Sequence, residues 1–193
     1  MDTAIVLSLT KYSDTGSIVH LYTPKEGRVQ CIVYGNKYKG ILRPLALIEY
    51  TSSRRNNAPN QMHTLSSATL VYAPQVLSVD IARQCIAMFV AELLIHTLRH
   101  PMSDKPLYDW LCRFIHRLDN EEDVNNLHIE FLLEYSVYLG IGIDPDEHQD
   151  WYIVPSTRRD RQERLRQLIG YFQEHIDDLP TLKSLDILIE IFN

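Results

Sequence analysis

The stretch that decides the fold is residues 3–35, TAIVLSLTKYSDTGSIVHLYTPKEGRVQCIVYG. It holds three runs rich in Val, Ile, Leu and Thr, split by SDTG and PKEG. β-branched and aromatic residues suit a pleated, half-buried surface, and breaks bearing Gly and Pro read as turns between strands. Two more runs follow, PLALIEYT at 44–51 and MHTLSSATLVYA at 62–73, separated by SSRRNNAPN. Five short strands in succession predict a closed barrel, because closure removes the exposed edges of an open sheet.

The period then changes. In DIARQCIAMFVAELLIHTLR (80–99), Ile81, Cys85, Met88, Phe89, Leu93 and Leu94 recur at helical spacing, with Ser78 or Asp80 as cap. PLYDWLCRFIHRL (106–118) puts Leu107, Trp110, Leu111, Phe114, Ile115 and Leu118 on one face, after Ser103 or Asp104. VNNLHIEFLLEYSVYLG ends on Gly140, where a left-handed residue closes a helix. After a connector at 141–157, RDRQERLRQLIGYFQEHI and TLKSLDILIEIF give two more amphipathic helices. The predicted class is α+β, multidomain: a five-stranded β-barrel over residues 1–78 and an all-α helical domain over 79–193.

Charge divides at the same place. The 193 residues carry 19 Lys+Arg against 25 Asp+Glu. Residues 1–78 hold eight basic and four acidic side chains, and residues 79–193 hold 11 basic and 21 acidic ones. Such asymmetry points to halves with different partners. Cys31, Cys85 and Cys112 are scattered and odd in number, which fits buried thiols in a reducing compartment. The N-terminus lacks the pattern of a signal peptide, and no apolar run reaches membrane length. A cytoplasmic protein without membrane contact is expected.

Signatures of chemistry are sparse. No nucleophile elbow, phosphate loop or dinucleotide fingerprint is present, so no enzyme, no catalytic residues and no cofactor are expected. His96 and His100 stand four apart but lack the metalloprotease Glu, and DPDEHQD (144–150) lacks the calcium-loop Gly. No metal site is expected.

The basic residues of the first half carry the functional signal. Small barrels of the OB type bind oligonucleotides on strands two and three and through the loops one–two and four–five. Arg54 and Arg55 fall on the four–five loop, Arg28 on the third strand, and Tyr34, Lys37, Tyr38, Lys39 and Arg43 at or after its end. Lys25 lies in the turn before it. Cations attract phosphates and aromatic faces stack unpaired bases, so these nine residues are the candidate nucleic-acid-binding set. The competing reading is a protein-interaction adaptor whose barrel never touches DNA.

KYSDTGSIVHLYTPKEGRVQCIVYG, LRPLALIEY, IAMFVAELL, FLLEYSVYLGIGIDP and RLRQLIGYFQEHI…LKSLDILIEI together resemble, in order and spacing, the RecO family of bacterial recombination mediators. The resemblance implies an N-terminal OB barrel, a C-terminal helical domain and a non-enzymatic role in DNA repair and recombination. That role comprises binding single- and double-stranded DNA, strand annealing, and loading of RecA onto strands coated by the single-strand-binding protein SSB. Implied partners are the acidic C-terminal tail of SSB and RecR, with RecF and RecA engaged indirectly. Many relatives carry a four-cysteine zinc module before the last helices, whereas this chain has no cysteine after Cys112. An SSB-tail receptor needs cations beside apolar side chains, and Arg99, Trp110, Arg113, Phe114 and Arg117 are its candidates. Arg158, Arg159, Arg161, Arg164 and Arg166 form a separate basic island.

Overall fold

The computed structural model describes residues 1–53, 62–75, 79–98 and 103–192. Strands β1 (Asp2–Lys11), β2 (Gly16–Thr23), β3 (Gly27–Tyr34), β4 (Leu47–Ser53) and β5 (His63–Tyr72) precede helices α1 (Ile81–Thr97), α2 (Lys105–Asn120), α3 (Leu127–Tyr138), α4 (Arg158–His175) and α5 (Lys183–Ile191). The strands close a barrel in the order β1-β2-β3-β5-β4, with β4 returning to β1. All neighbours run antiparallel except β3 and β5. The fold is the five-stranded barrel followed by helices that the strand and helix periods predict, and its closed strand order is that of the OB-type barrel the family resemblance implies.

The chain divides into two compact units, Met1–Gln75 with Ala91–His116, and Val76–Val90 with Arg117–Asn193. The first holds the barrel. Its interior is lined by Ala4, Val6, Val19, Leu21, Val29, Cys31, Val33, Ile48, Tyr50 and Leu65. β1 is buried on both faces, since Ile5 and Leu7 are as enclosed as Ala4 and Val6. Residues 91–116 contribute to the covering of this unit: Tyr22 Oη donates to the Asp104 carbonyl, the Tyr22 and Tyr108 rings lie 6.2 Å apart, and Ser103 Oγ donates to the Pro24 carbonyl. β4 starts three residues later than its apolar run. Leu45 takes a left-handed φ of 62° and its N–H donates to the Val6 carbonyl, beside a register shift in β1.

In the second unit α3 meets α4 through Tyr135 and Phe172, whose ring centroids are 6.4 Å apart, above a core that includes Phe131, Leu132, Leu165, Leu168 and Leu188. His128 packs on Phe192 just past α5. Asp80 caps α1 by accepting from the Arg83 N–H. In turn, the buried Arg83 guanidinium donates to the carbonyls of Leu118 and Glu121 at the end of α2. Gly140 follows α3 with a φ of 74°, which supplies the expected left-handed stop. Among the described residues no helix is long and apolar enough to cross a membrane.

Candidate nucleic-acid interface

One end of the barrel gathers the end of β1, the start of β2 and the end of β3. The Tyr12 and Ser13 N–H groups donate to the Gly16 carbonyl, Gly16 pairs with Tyr34 across the ladder, and the Gly35 N–H donates to the Thr15 carbonyl. A side chain at residue 16 would come within 3.0 Å of Ser13 Oγ and 3.8 Å of the Tyr34 ring, so glycine permits the close approach. Two tyrosines are left facing water here, Tyr12 at 64% and Tyr34 at 58% exposure. Tyr34 belongs to the sequence-predicted set. Tyr12 and the exposed Lys11 do not, although the Lys-Tyr pair directly before the SDTG turn was the available signal.

The connection from β3 to β4 explains the placement of the cations after Tyr34. The Ile41 and Leu42 N–H groups both donate to the Tyr38 carbonyl, which winds one helical turn. Positions three and four apart on such a turn share a face. Accordingly Tyr38 and Leu42 join the barrel core, Ile41 packs against it, and Tyr38 Oη donates to the Ser66 carbonyl at 3.0 Å. Turning these three inward leaves Lys37, Lys39 and Arg43 exposed. None of the three forms an ion pair among the described residues, and Lys37 Nζ lies 4.9 Å from the centroid of the Tyr38 ring.

The remaining candidates are placed differently. Lys25 is exposed and pairs with Asp2 at 2.7 Å, so each side chain moves the other's pKa: Asp2 is lowered by the hydrogen bond from Lys25, and Lys25 is raised by the one to Asp2. Arg28 is half-buried, donating to the Ile95 carbonyl at 2.6 Å and to His20 Nδ1 at 3.1 Å. Because Arg28 can only donate, His20 Nδ1 is the acceptor there and carries no proton; burial first, then the Arg28 charge, lowers the His20 pKa. Arg54 and Arg55 lie outside the described residues, as does Arg99. Of the candidate SSB-tail set, Trp110 and Phe114 are buried with ring centroids 6.2 Å apart, and Arg113 is exposed. Arg117 is held by Glu121 and Glu130, each at 2.6 Å, and by Glu134 at 3.4 Å.

Burial pushes the Cys31 thiol up to about 12 and also raises Cys85 and Cys112, so the three thiols stay neutral near pH 7. Among the described residues no cluster of three or more His, Cys, Asp or Glu side chains is placed to hold a metal ion.

Two family profiles match the chain. One, described as Recombination protein O N terminal, matches residues 1–74, and the other, Recombination protein O C terminal, matches residues 78–149. Curated relatives named DNA repair protein RecO align over nearly all of the chain. The protein from Phocaeicola vulgatus is 26% identical, with 98% of this chain and 97% of the relative covered. That from Bacteroides fragilis is 27% identical over the same shares, and that from Porphyromonas gingivalis is 27% identical with 98% of each covered. These alignments run over 236, 237 and 243 positions, more than the 193 residues of this chain, so the relatives contain segments that it lacks.

Proposed function

The chain belongs to the RecO family, and from that premise we propose that it is a DNA repair protein whose barrel binds single- and double-stranded DNA and promotes strand annealing without covalent chemistry. Residues 1–78 carry the DNA contact and residues 79–193 the protein contacts. The observation that carries the reading is the outward row Lys37, Lys39 and Arg43, fixed by the inward Tyr38 and Leu42, beside the exposed Tyr12 and Tyr34. Cations along a connection track a phosphate backbone, and exposed aromatic faces stack unpaired bases without regard to sequence. Annealing then needs only two strands held close, their charges screened and their pairing edges free. By the same reading the protein hands SSB-coated strands to RecA, with RecR and the SSB tail as direct partners and RecF engaged indirectly. Arg113 is the exposed cation offered to the acidic SSB tail, since Arg117 is already neutralised by three carboxylates.

The test compares two variants of equal net charge. Lys37→Glu, Lys39→Glu and Arg43→Glu together should weaken binding of a labelled single-stranded oligonucleotide at least about tenfold, as loss and reversal of about three phosphate contacts requires. Arg158→Glu, Arg159→Glu and Lys183→Glu together should leave it near wild type. Equal loss in both would make the binding a bulk charge effect and remove the barrel surface as its site.

A further inference from the structure

In the second unit, residues 142–151 and α4 enclose an open groove of about 650 Å3. That volume is within the ~300–1,000 Å3 of ordinary ligand pockets. Its lining is acidic and aromatic: Asp144, Glu147 and Glu174 stand with His148, Trp151 and Tyr171, and no Lys or Arg lines it. The rings form one continuous wall. His148 lies 4.2 Å from Trp151, Trp151 lies 5.8 Å edge-on from Tyr171, and Tyr171 stacks on His175 at 4.0 Å. The wall is held in place, because Tyr171 Oη donates to the Ile141 carbonyl and His175 Nδ1 donates to the Tyr171 carbonyl. Glu147 and Glu174 form no ion pair or hydrogen bond with any described residue.

A second observation concerns Gly170, which also lines the groove. It sits in the interior of α4, where glycine is the poorest helix former after proline. Its φ is not left-handed, and a Cβ built there would meet nothing within 4 Å. Neither the backbone nor the packing of this chain requires a glycine; the missing side chain leaves room in the groove. Immediately after Trp151, the exposed run Tyr152, Ile153 and Val154 adds apolar surface.

An acidic, aromatic groove without cations repels phosphates, so nucleic acid does not suit it. A guanidinium does. It is flat enough to stack on aromatic faces, stays charged, and pairs with carboxylates through a fork of donors. The geometry points to a docking site for an arginine-bearing segment of a protein partner, with the guanidinium against Trp151 and Tyr171 and paired with Glu147 or Glu174.

The full chain is titrated into a fluorescein-labelled pentapeptide, Gly-Arg-Leu-Arg-Gly, and into versions with lysine or citrulline in place of both arginines. The arginine peptide should bind with a saturable anisotropy change, the lysine peptide several-fold more weakly, and the neutral citrulline peptide not measurably. Gly170→Leu fills the groove and favours the helix, so it should keep circular dichroism and Tm while lowering affinity about tenfold or more. Glu147→Gln with Glu174→Gln should produce a similar loss without added bulk. Binding of the citrulline peptide as tight as the arginine one would overturn the proposal. So would unchanged binding in a folded Gly170→Leu protein, or sedimentation showing that the groove variants instead abolish a dimer of this chain.

Discussion

Tyr38 and Arg28 sit among the cations of the barrel sequence, yet Tyr38 packs into the barrel core and Arg28 is held by the Ile95 carbonyl and His20, and this separates stability from binding at single residues. Tyr38→Ala removes a core aromatic and should cost about 3–5 kcal/mol in urea unfolding. Tyr38→Phe gives up only the hydrogen bond to the Ser66 carbonyl and should cost about 1 kcal/mol, with oligonucleotide affinity unchanged. Arg28→Met leaves the Ile95 carbonyl and His20 without their charged donor and should cost about 2 kcal/mol. Tyr34→Ala, at an exposed position, should do the reverse. It should leave the unfolding midpoint unchanged and weaken single-strand binding by about 1–3 kcal/mol if a base stacks there.

At the scale of elements, the starts of α1 and α2 rest on two aspartates. Asp104 accepts from the Leu107 N–H and Asp80 from the Arg83 N–H, each in the cap position. Asp104→Ala should cost about 1 kcal/mol. Asp80→Ala should cost more, about 2–3 kcal/mol, because it also strips the carboxylate from the buried Arg83 guanidinium. Equal midpoints for the two variants would contradict that role for Arg83. Among the described residues the five strands and five α-helices are legible from period and punctuation, whereas the 3-10 turn Gln149–Tyr152 inside the connector is not. What is not legible is where an element departs from its pattern for the sake of a distant partner. PLALIEYT reads as one strand, but its first residues are drawn off the ladder by the bond from Leu45 to Val6. Arg28 reads as a solvent-facing cation because its partner, Ile95, is 67 residues away. Tyr38 carried a usable local signal, since Tyr38, Ile41 and Leu42 have the spacing of one buried helical face. The aromatic groove was less visible, because its rings come from a connector without regular period and from α4.

For the whole molecule, pH and salt act on different parts. His20 and His128 both have pKa values below the usual histidine range, His128 lowered to about 3 first by burial and then by the Arg161 charge. A histidine held neutral in the fold binds its proton more readily once unfolded. Stability is therefore full above about pH 6.5 and falls as pH drops below it, by up to about 1.4 kcal/mol per pH unit for each histidine. His128→Leu should flatten this acid limb in urea unfolding at pH 7.5 and 4.5, and an unchanged limb would exclude His128 as its source.

The central claim is that the barrel surface carrying Tyr12, Tyr34, Lys37, Lys39 and Arg43 binds DNA, and a salt series tests it most directly. Fluorescence anisotropy of a labelled single-stranded oligonucleotide is measured with the full chain from low to moderate salt. With about four phosphates engaged, log K should fall against log salt with a slope near −3, at ~0.7 per contact. No binding even at low salt, or binding indifferent to salt, would contradict the claim and leave an adaptor that reaches DNA only through its protein partners.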